Sequence, residues 1–329
     1  MKPLAHRLIE ISPVPAYLTG MIGSTICFFF YLMIASEAGL VRQTLSGEVP
    51  SIVLRSNLTA MVLIGYLPIA HWYLRNWSSA RIEELKAGFA LQDDVHVPKG
   101  ITLTLAGFVG WLAFVVLFLI VPDPELRGFQ PSNWNLLLAV SVVANALIGW
   151  WMGKFSFELI WTASYLSQMA KRLPEVNLLD ADSFKPFARQ GVQSALLIII
   201  LMSITGHMAF RPDSVITGAS VFGAIMLVLT VTALVLPVRG IHRRIQAHKR
   251  EELALLRAQI RQQKVKLLIG SDQITDNIIV LLAMEARIER VSEWPFDIGS
   301  LSRFSFYLLL GFGSWVGAAL VERLLNSAL

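Results

Sequence analysis

The chain has 329 residues, 55% of them hydrophobic and only 16% charged, with one cysteine and a net charge of +5. A soluble domain carries about 25% charged residues, so this composition, with a mean hydropathy of +0.59, excludes an ordinary soluble globule. The lone Cys27 excludes an intrachain disulfide or a cysteine metal centre, and the basic residues flank apolar runs, where they orient a membrane protein rather than form a nucleic-acid surface.

Seven stretches have the length of about 20 apolar residues that crosses roughly 30 Å of hydrocarbon. They are 15–36, 52–74, 101–122, one starting at Trp134, 192–210, 215–237 and 303–325. The first follows a short basic head, Lys2 and Arg7. It exceeds the roughly 7–15 residues of a secretory core, which makes it a retained span. With the N-terminus inside, 23 of the 28 Lys and Arg fall in cytoplasmic segments. The positive-inside bias therefore places the N-terminus inside and, after seven crossings, the C-terminus outside.

Between spans 2 and 3, residues 78–91 read as a short amphipathic helix on the inner leaflet, with Ile82, Leu85, Phe89 and Leu91 on one side and Arg81, Glu83, Glu84 and Lys86 on the other. Span 4 keeps its helical pattern to about Arg172, interrupted only by Gly149 and Gly153. At 1.5 Å per residue that is roughly 58 Å, too long for lipid alone. Its far end therefore projects into the cytoplasm. Asp180 and Asp182 resemble a calcium-loop fragment but lack the further oxygen ligands and the distal Glu, so an Asp N-cap opening the next helix is the expectation, with Pro186 in its first turns.

Span 6 also runs on, through His242, Arg243 and Arg244 to about Leu268, with Leu253, Leu256, Ile260 and Leu267 as an apolar stripe. Gly270, Ser271 and Asp272 break it. A second amphipathic helix over 273–293 carries Ile274, Ile278, Leu281, Leu282 and Ile288 and ends at Trp294 and Pro295. The expected architecture is all-α. Spans 1–4 occupy 1–153, an extension of span 4 with the lead-in to span 5 occupies 154–191, and spans 5 and 6 occupy 192–237. A cytoplasmic hairpin covers 238–302, span 7 covers 303–329, and the extensions of spans 4–6 form one cytoplasmic bundle.

No nucleophile-elbow, phosphate-loop, His-Glu-x-x-His or paired-cysteine motif is present, so no catalytic residue, cofactor or metal site is expected. Among the ionisable residues at membrane depth, Lys154 and Glu158 sit four apart and can pair on one helix face or snorkel. His207 is the one histidine well inside a span; it reads as a packed histidine or as a gating or proton-linked group. In span 7, Gly313 and Gly317 form a GxxxG pair suited to close helix packing. A second stripe, Tyr307, Gly311, Ser314, Ala318 and Glu322, reads as a narrow pore wall ending in a carboxylate, with Leu308 beside it as a constriction.

The 134–172 helix, the continuation of span 6 to Leu268 and the break at Trp294 and Pro295 before a terminal membrane helix give a plan that resembles the insect-chemoreceptor-like family of seven-helix ion channels. The likeness is one of layout and carries over no residue motif. It implies a homo-oligomer, a tetramer by that resemblance, whose last helix lines a pore for monovalent or divalent cations. Three readings follow from the sequence. One is a homo-oligomeric cation channel in a bacterial inner membrane. Another is a non-catalytic membrane scaffold or sensor whose basic hairpin binds a partner or anionic lipid. The third is a lipid-modifying enzyme using His242, Arg243 and Arg244.

Overall fold

A computed structural model describes residues 4–47, 51–89, 100–120, 136–173, 178, 181–206, 224, 227–268, 275–296, 299, 301–311 and 313, and every regular element among them is a helix. In chain order these are α1 (Leu4–Ile11), α2 (Ala16–Glu37), α3 (Leu40–Leu45), α4 (Ser51–Phe89), α5 (Gly100–Ile120), α6 (Leu136–Lys171), α7 (Lys185–Thr205), α8 (Arg239–Leu268) and α9 (Thr275–Glu289). Residues 227–235 and 301–311 are helical as well. Among the described residues, three helical stretches are long and apolar enough to cross a membrane: Ala16–Glu37, Leu136–Lys171 and Asp182–Thr205.

Two helices far exceed bilayer thickness. α6 runs 36 residues, as its pattern predicts. α4 runs 39 residues through Pro68, and here the expectation needs correcting. Residues 78–89 are not a separate interfacial helix; they are the C-terminal end of α4, with Ile82 and Leu85 buried in a protein core beside Leu166, Phe187 and Ile241. An amphipathic stripe looks the same whether lipid or protein covers it, and here protein does. Among the described residues no Asp caps α7, and Asp180 lies outside them. A short 3-10 turn (Ala181–Phe184) leads into α7, whose start has no side-chain cap; Asp182 instead pairs with Lys185 at 2.7 Å, and Pro186 sits in the first turn. The sixth expected span does not run straight into α8, because Leu236, Pro237 and Val238 form a turn between 235 and Arg239. The missing Pro237 N–H removes a helical hydrogen bond at that point.

Apolar contacts collect at several levels. One cluster joins Tyr31, Met61, Leu67, Ile148 and Leu201; another joins Ala70, Leu74, Phe155, Leu197, Ile198 and Ala233; a third joins Leu85, Leu166, Phe187, Val238, Ile241 and Ile288. Cys27 packs on the first of these as a free thiol. Glycines let the backbones of paired helices touch. A Cβ on Gly110 of α5 would stand 2.6 Å from Gly153 Cα of α6, and one on Gly65 of α4 would stand 2.7 Å from Ser24 N of α2. Gly149 and Gly153, which look like interruptions of span 4, are thus its seat for α5. Gly153→Ala is expected to lower stability by about 1–3 kcal/mol through overpacking. Gly23→Ala, with open space around its Cβ, is expected to raise it by about 0.5–1 kcal/mol as a helix-interior replacement. Thermal unfolding of the two variants in detergent checks the contrast.

Candidate functional site

The site begins where α1, α4 and α6 meet. His6 on α1 and His71 on α4 are both buried, 3% and 0% exposed, with His6 Nε2 and His71 Nδ1 3.0 Å apart. One ring must donate and the other accept, so at least one of the two is neutral. Trp151 of α6 lies nearly parallel to the His6 ring and edge-on to His71. The amphipathic α1 is pinned to the helices by this contact, and Ile9 adds a small apolar cluster with Ala16 and Ile69.

One turn along α6, Lys154 is buried with its Nζ over the Trp150 ring at 4.4 Å and the Trp151 ring at 5.1 Å. A cation over an indole face is favourable, more so when desolvated. The spacing to Glu158 therefore does not produce an ion pair among the described residues, and neither side chain snorkels: Glu158 is 2% exposed and inside the protein. Its Oε2 has no hydrogen-bond partner among the described residues, and Arg75 of α4 lies within electrostatic reach of both Glu158 and His71.

Further buried polar groups continue this belt. Phe155 belongs to the cluster with Ile198, and Leu166 to the cluster with Phe187. Glu158 and Thr162 on α6, and Gln190 and Ser194 on α7, fall between those levels by position in their helices. Gln190 donates from Nε2 to Ser194 Oγ at 3.2 Å, whereas Gln190 Oε1 and Thr162 Oγ1 have no hydrogen-bond partner among the described residues. A polar layer, with the Glu158 carboxylate and the Lys154 and Arg75 cations near it, thus lies between two apolar cores. Buried ionisable groups in such a place mark functional positions.

The remaining expected site residues fall in different places. Tyr307 and Leu308 pack on the cluster of Ala195, Ile199, Leu234 and Phe304 within the same chain. Gly311 is buried, and a Cβ there would stand 2.7 Å from Ile199 Cγ2 and 3.4 Å from Ser203 Oγ of α7. Gly313 has open space around it. In this chain the close-packing glycine is therefore Gly311, and the Gly313 side, with exposed Phe306, Leu309 and Leu310, faces outward. His207, Ser314, Gly317, Ala318 and Glu322 lie outside the described residues.

At the start of α8, His242 stacks on Trp294 with centroids 4.0 Å apart and its Nδ1 lies 2.9 Å from Glu293 O. Arg244 donates to Leu173 O at 3.3 Å. His242 and Arg244 thus fasten the base of the hairpin. Arg257 of α8 reaches Glu285 Oε1 and Glu289 Oε1 of α9, each at 2.6 Å, and those hydrogen bonds hold its guanidinium pKa up. Among the described residues no three His, Cys, Asp or Glu side chains form a set able to hold a metal. The chain matches no family model, no curated protein and no solved structure.

The sequence did not point to His6 and His71, which are 65 positions apart; the usable signal was the Trp150, Trp151 and Lys154 run on a single apolar helix. His71→Ala removes a buried hydrogen bond and a ring packed on Trp151, and is expected to cost about 2–4 kcal/mol. Glu158→Gln, by contrast, removes a buried charge and should leave the melting temperature in detergent unchanged or higher. A large loss for Glu158→Gln would show that the carboxylate is held by a partner.

Proposed function

We propose that this chain is a seven-span membrane protein, N-terminus inside and C-terminus outside, acting without covalent chemistry as a membrane scaffold or sensor of a bacterial inner membrane. Its basic cytoplasmic hairpin is the element that engages a partner. The observation that carries this reading is α9. Its sequence from Ile278 to Met284 is an unbroken apolar run, yet only the side toward α8 is covered, and Ile279, Val280, Leu282 and Met284 are 47–59% exposed. A helix apolar all round belongs in an interior. The polar layer around Glu158 supports the sensing half of the proposal, since α4, α6 and α7 join the apolar spans to the hairpin across it.

A second reading is the homo-oligomeric cation channel. It is supported by the layout of α4 and α6, which run 39 and 36 residues from apolar ends into one cytoplasmic core. Of these two helices, only α6 belongs to the resemblance to insect-chemoreceptor-like channels, which rests on the 134–172 helix, the continuation to Leu268 and the break at Trp294 and Pro295. Against it, the Tyr307 and Gly311 side of the last helix packs on α7 within the same chain. The two readings separate in proteoliposomes. The scaffold reading expects no cation flux under voltage of either sign, from wild type or from Glu322→Gln. A conductance whose reversal potential shifts in Glu322→Gln would replace it with the channel.

A further inference from the structure

The hairpin of α8 and α9 neutralises its charges unevenly. Arg257 of α8 is bonded to Glu285 and Glu289 of α9, and Lys249 donates to the Glu289 and Val291 carbonyls. Glu251 and Glu252 pair with His248 on their own helix. Arg243, Arg250 and Lys264 are exposed and have no hydrogen bond or ion pair among the described residues. Arg261 is exposed as well and donates to the Arg257 carbonyl. At 3.6 residues per turn, these cations lie in one stripe of α8. Arg257 marks where that stripe borders α9, and the spacing from Glu285 and Glu289 puts Ile279, Leu282 and Ala286 on the same side. Ile279 and Leu282 are 59% and 47% exposed. A row of uncompensated cations thus runs beside an open apolar row, over about 21 Å from Arg250 to Lys264. The opposite side carries both signs, with Glu252 on α8 and Arg287 on α9.

Position narrows what covers this face. Gly240 lies on the Ser167 backbone and Arg244 donates to Leu173 O, so residue numbers in α8 and α6 rise together. α8 therefore runs the same way as α6, away from its apolar Leu136 end, and continues to Leu268. Lys264 stands roughly 30 Å past the Arg244 contact at 1.5 Å per residue. α6, with 36 residues, already exceeds roughly 30 Å of hydrocarbon. Headgroup charge is screened within about 10 Å, so a bilayer crossed by α6 does not reach the outer cations. A nucleic acid matches the charge but leaves Ile279 and Leu282 uncovered. An amphipathic helix meets both rows: its apolar side lies on Ile279, Leu282 and Ala286, and its carboxylates face the guanidinium groups.

We infer that this side of the hairpin docks an acidic amphipathic helix of a partner protein, as the third helix of a small bundle. One carboxylate stands opposite Arg250, and two more, 11 and 14 positions along, stand opposite Arg261 and Lys264. This inference rests on the proposed role of the hairpin in engaging a partner, and gives that partner its chemistry.

The test uses the full chain in nanodiscs of zwitterionic lipid and fluorescent helical peptides of about 20 residues, long enough to span the row. All share a Leu/Ala face; one carries Glu at the three spaced positions, a second Gln and a third Lys. Anisotropy titrations are expected to show the Glu peptide bound about tenfold more tightly than the Gln peptide, the scale of three exposed charge pairs. That advantage shrinks as salt is raised. Arg250→Glu with Arg261→Glu removes it and lets the Lys peptide bind instead, while Leu282→Asp weakens all three; these positions are exposed, so the variants keep the wild-type melting temperature. Equal binding of the Glu and Gln peptides, lost in Leu282→Asp, would overturn the acidic partner while keeping a hairpin that docks a helix. Glu-peptide binding untouched by either variant would overturn this face as its seat. Tighter binding of phosphatidylglycerol vesicles or of a poly-uridine strand, lost in Arg250→Glu, would assign the face to lipid or RNA instead. No binding of any of these probes would overturn the hairpin reading itself.

Discussion

The fold depends on helix backbones coming into direct contact at glycines. In hydrocarbon, lipid tails are as apolar as the side chains they would replace, so helix association relies on close packing instead of on the hydrophobic effect. Three seams have such a point: Gly65 against Ser24 between α4 and α2, Gly110 against Gly153 between α5 and α6, and Gly191 against Leu234 between α7 and residues 227–235. The same device continues past the apolar part. Gly240 at the start of α8 lies on the Ser167 backbone of α6, and Gly311 lies on Ile199 of α7. The hairpin and the last helix are thereby attached to the same frame as the membrane spans.

This attachment gives the polar belt its meaning. Tight seams on both sides keep Glu158, Thr162, Gln190 and the His6–His71 pair away from solvent, where unsatisfied oxygens and uncompensated charge are costly. A layer of that kind is a poor stabiliser compared with an apolar core of the same volume. It stands between helices that continue on either side of it, so any change in its charge is felt by both halves of the molecule.

Much of the architecture was legible in the residues, and the failures have definite causes. Apolar length located α2, α5, α6 and α7, and the over-long pattern after Trp134 foretold a helix of 36 residues. The hairpin followed from stripes at Leu253 and Leu256 and at Ile278 and Leu281. What periodicity does not encode is the identity of the covering surface. Ile82 and Leu85 have the spacing of an interfacial helix and the burial of a core one. Lys154 and Glu158 have the spacing of a helix ion pair, but two adjacent indoles offer the ammonium a better seat. Gly311 and Gly313 are two positions apart, and only the placement of α7 decides which of them is the packing residue. The histidine pair depends on a contact between the N-terminal helix and α4 that no local pattern announces.

The unbroken length of α4 has a mechanical consequence. Its 39 residues form one helix of roughly 58 Å at 1.5 Å per residue, packed against α2 in its first half and buried beside Leu166 and Phe187 at its far end. A rotation of one degree about the Ser51 end therefore carries the Phe89 end sideways by about 1 Å, a distance on the scale at which packed interfaces switch between arrangements.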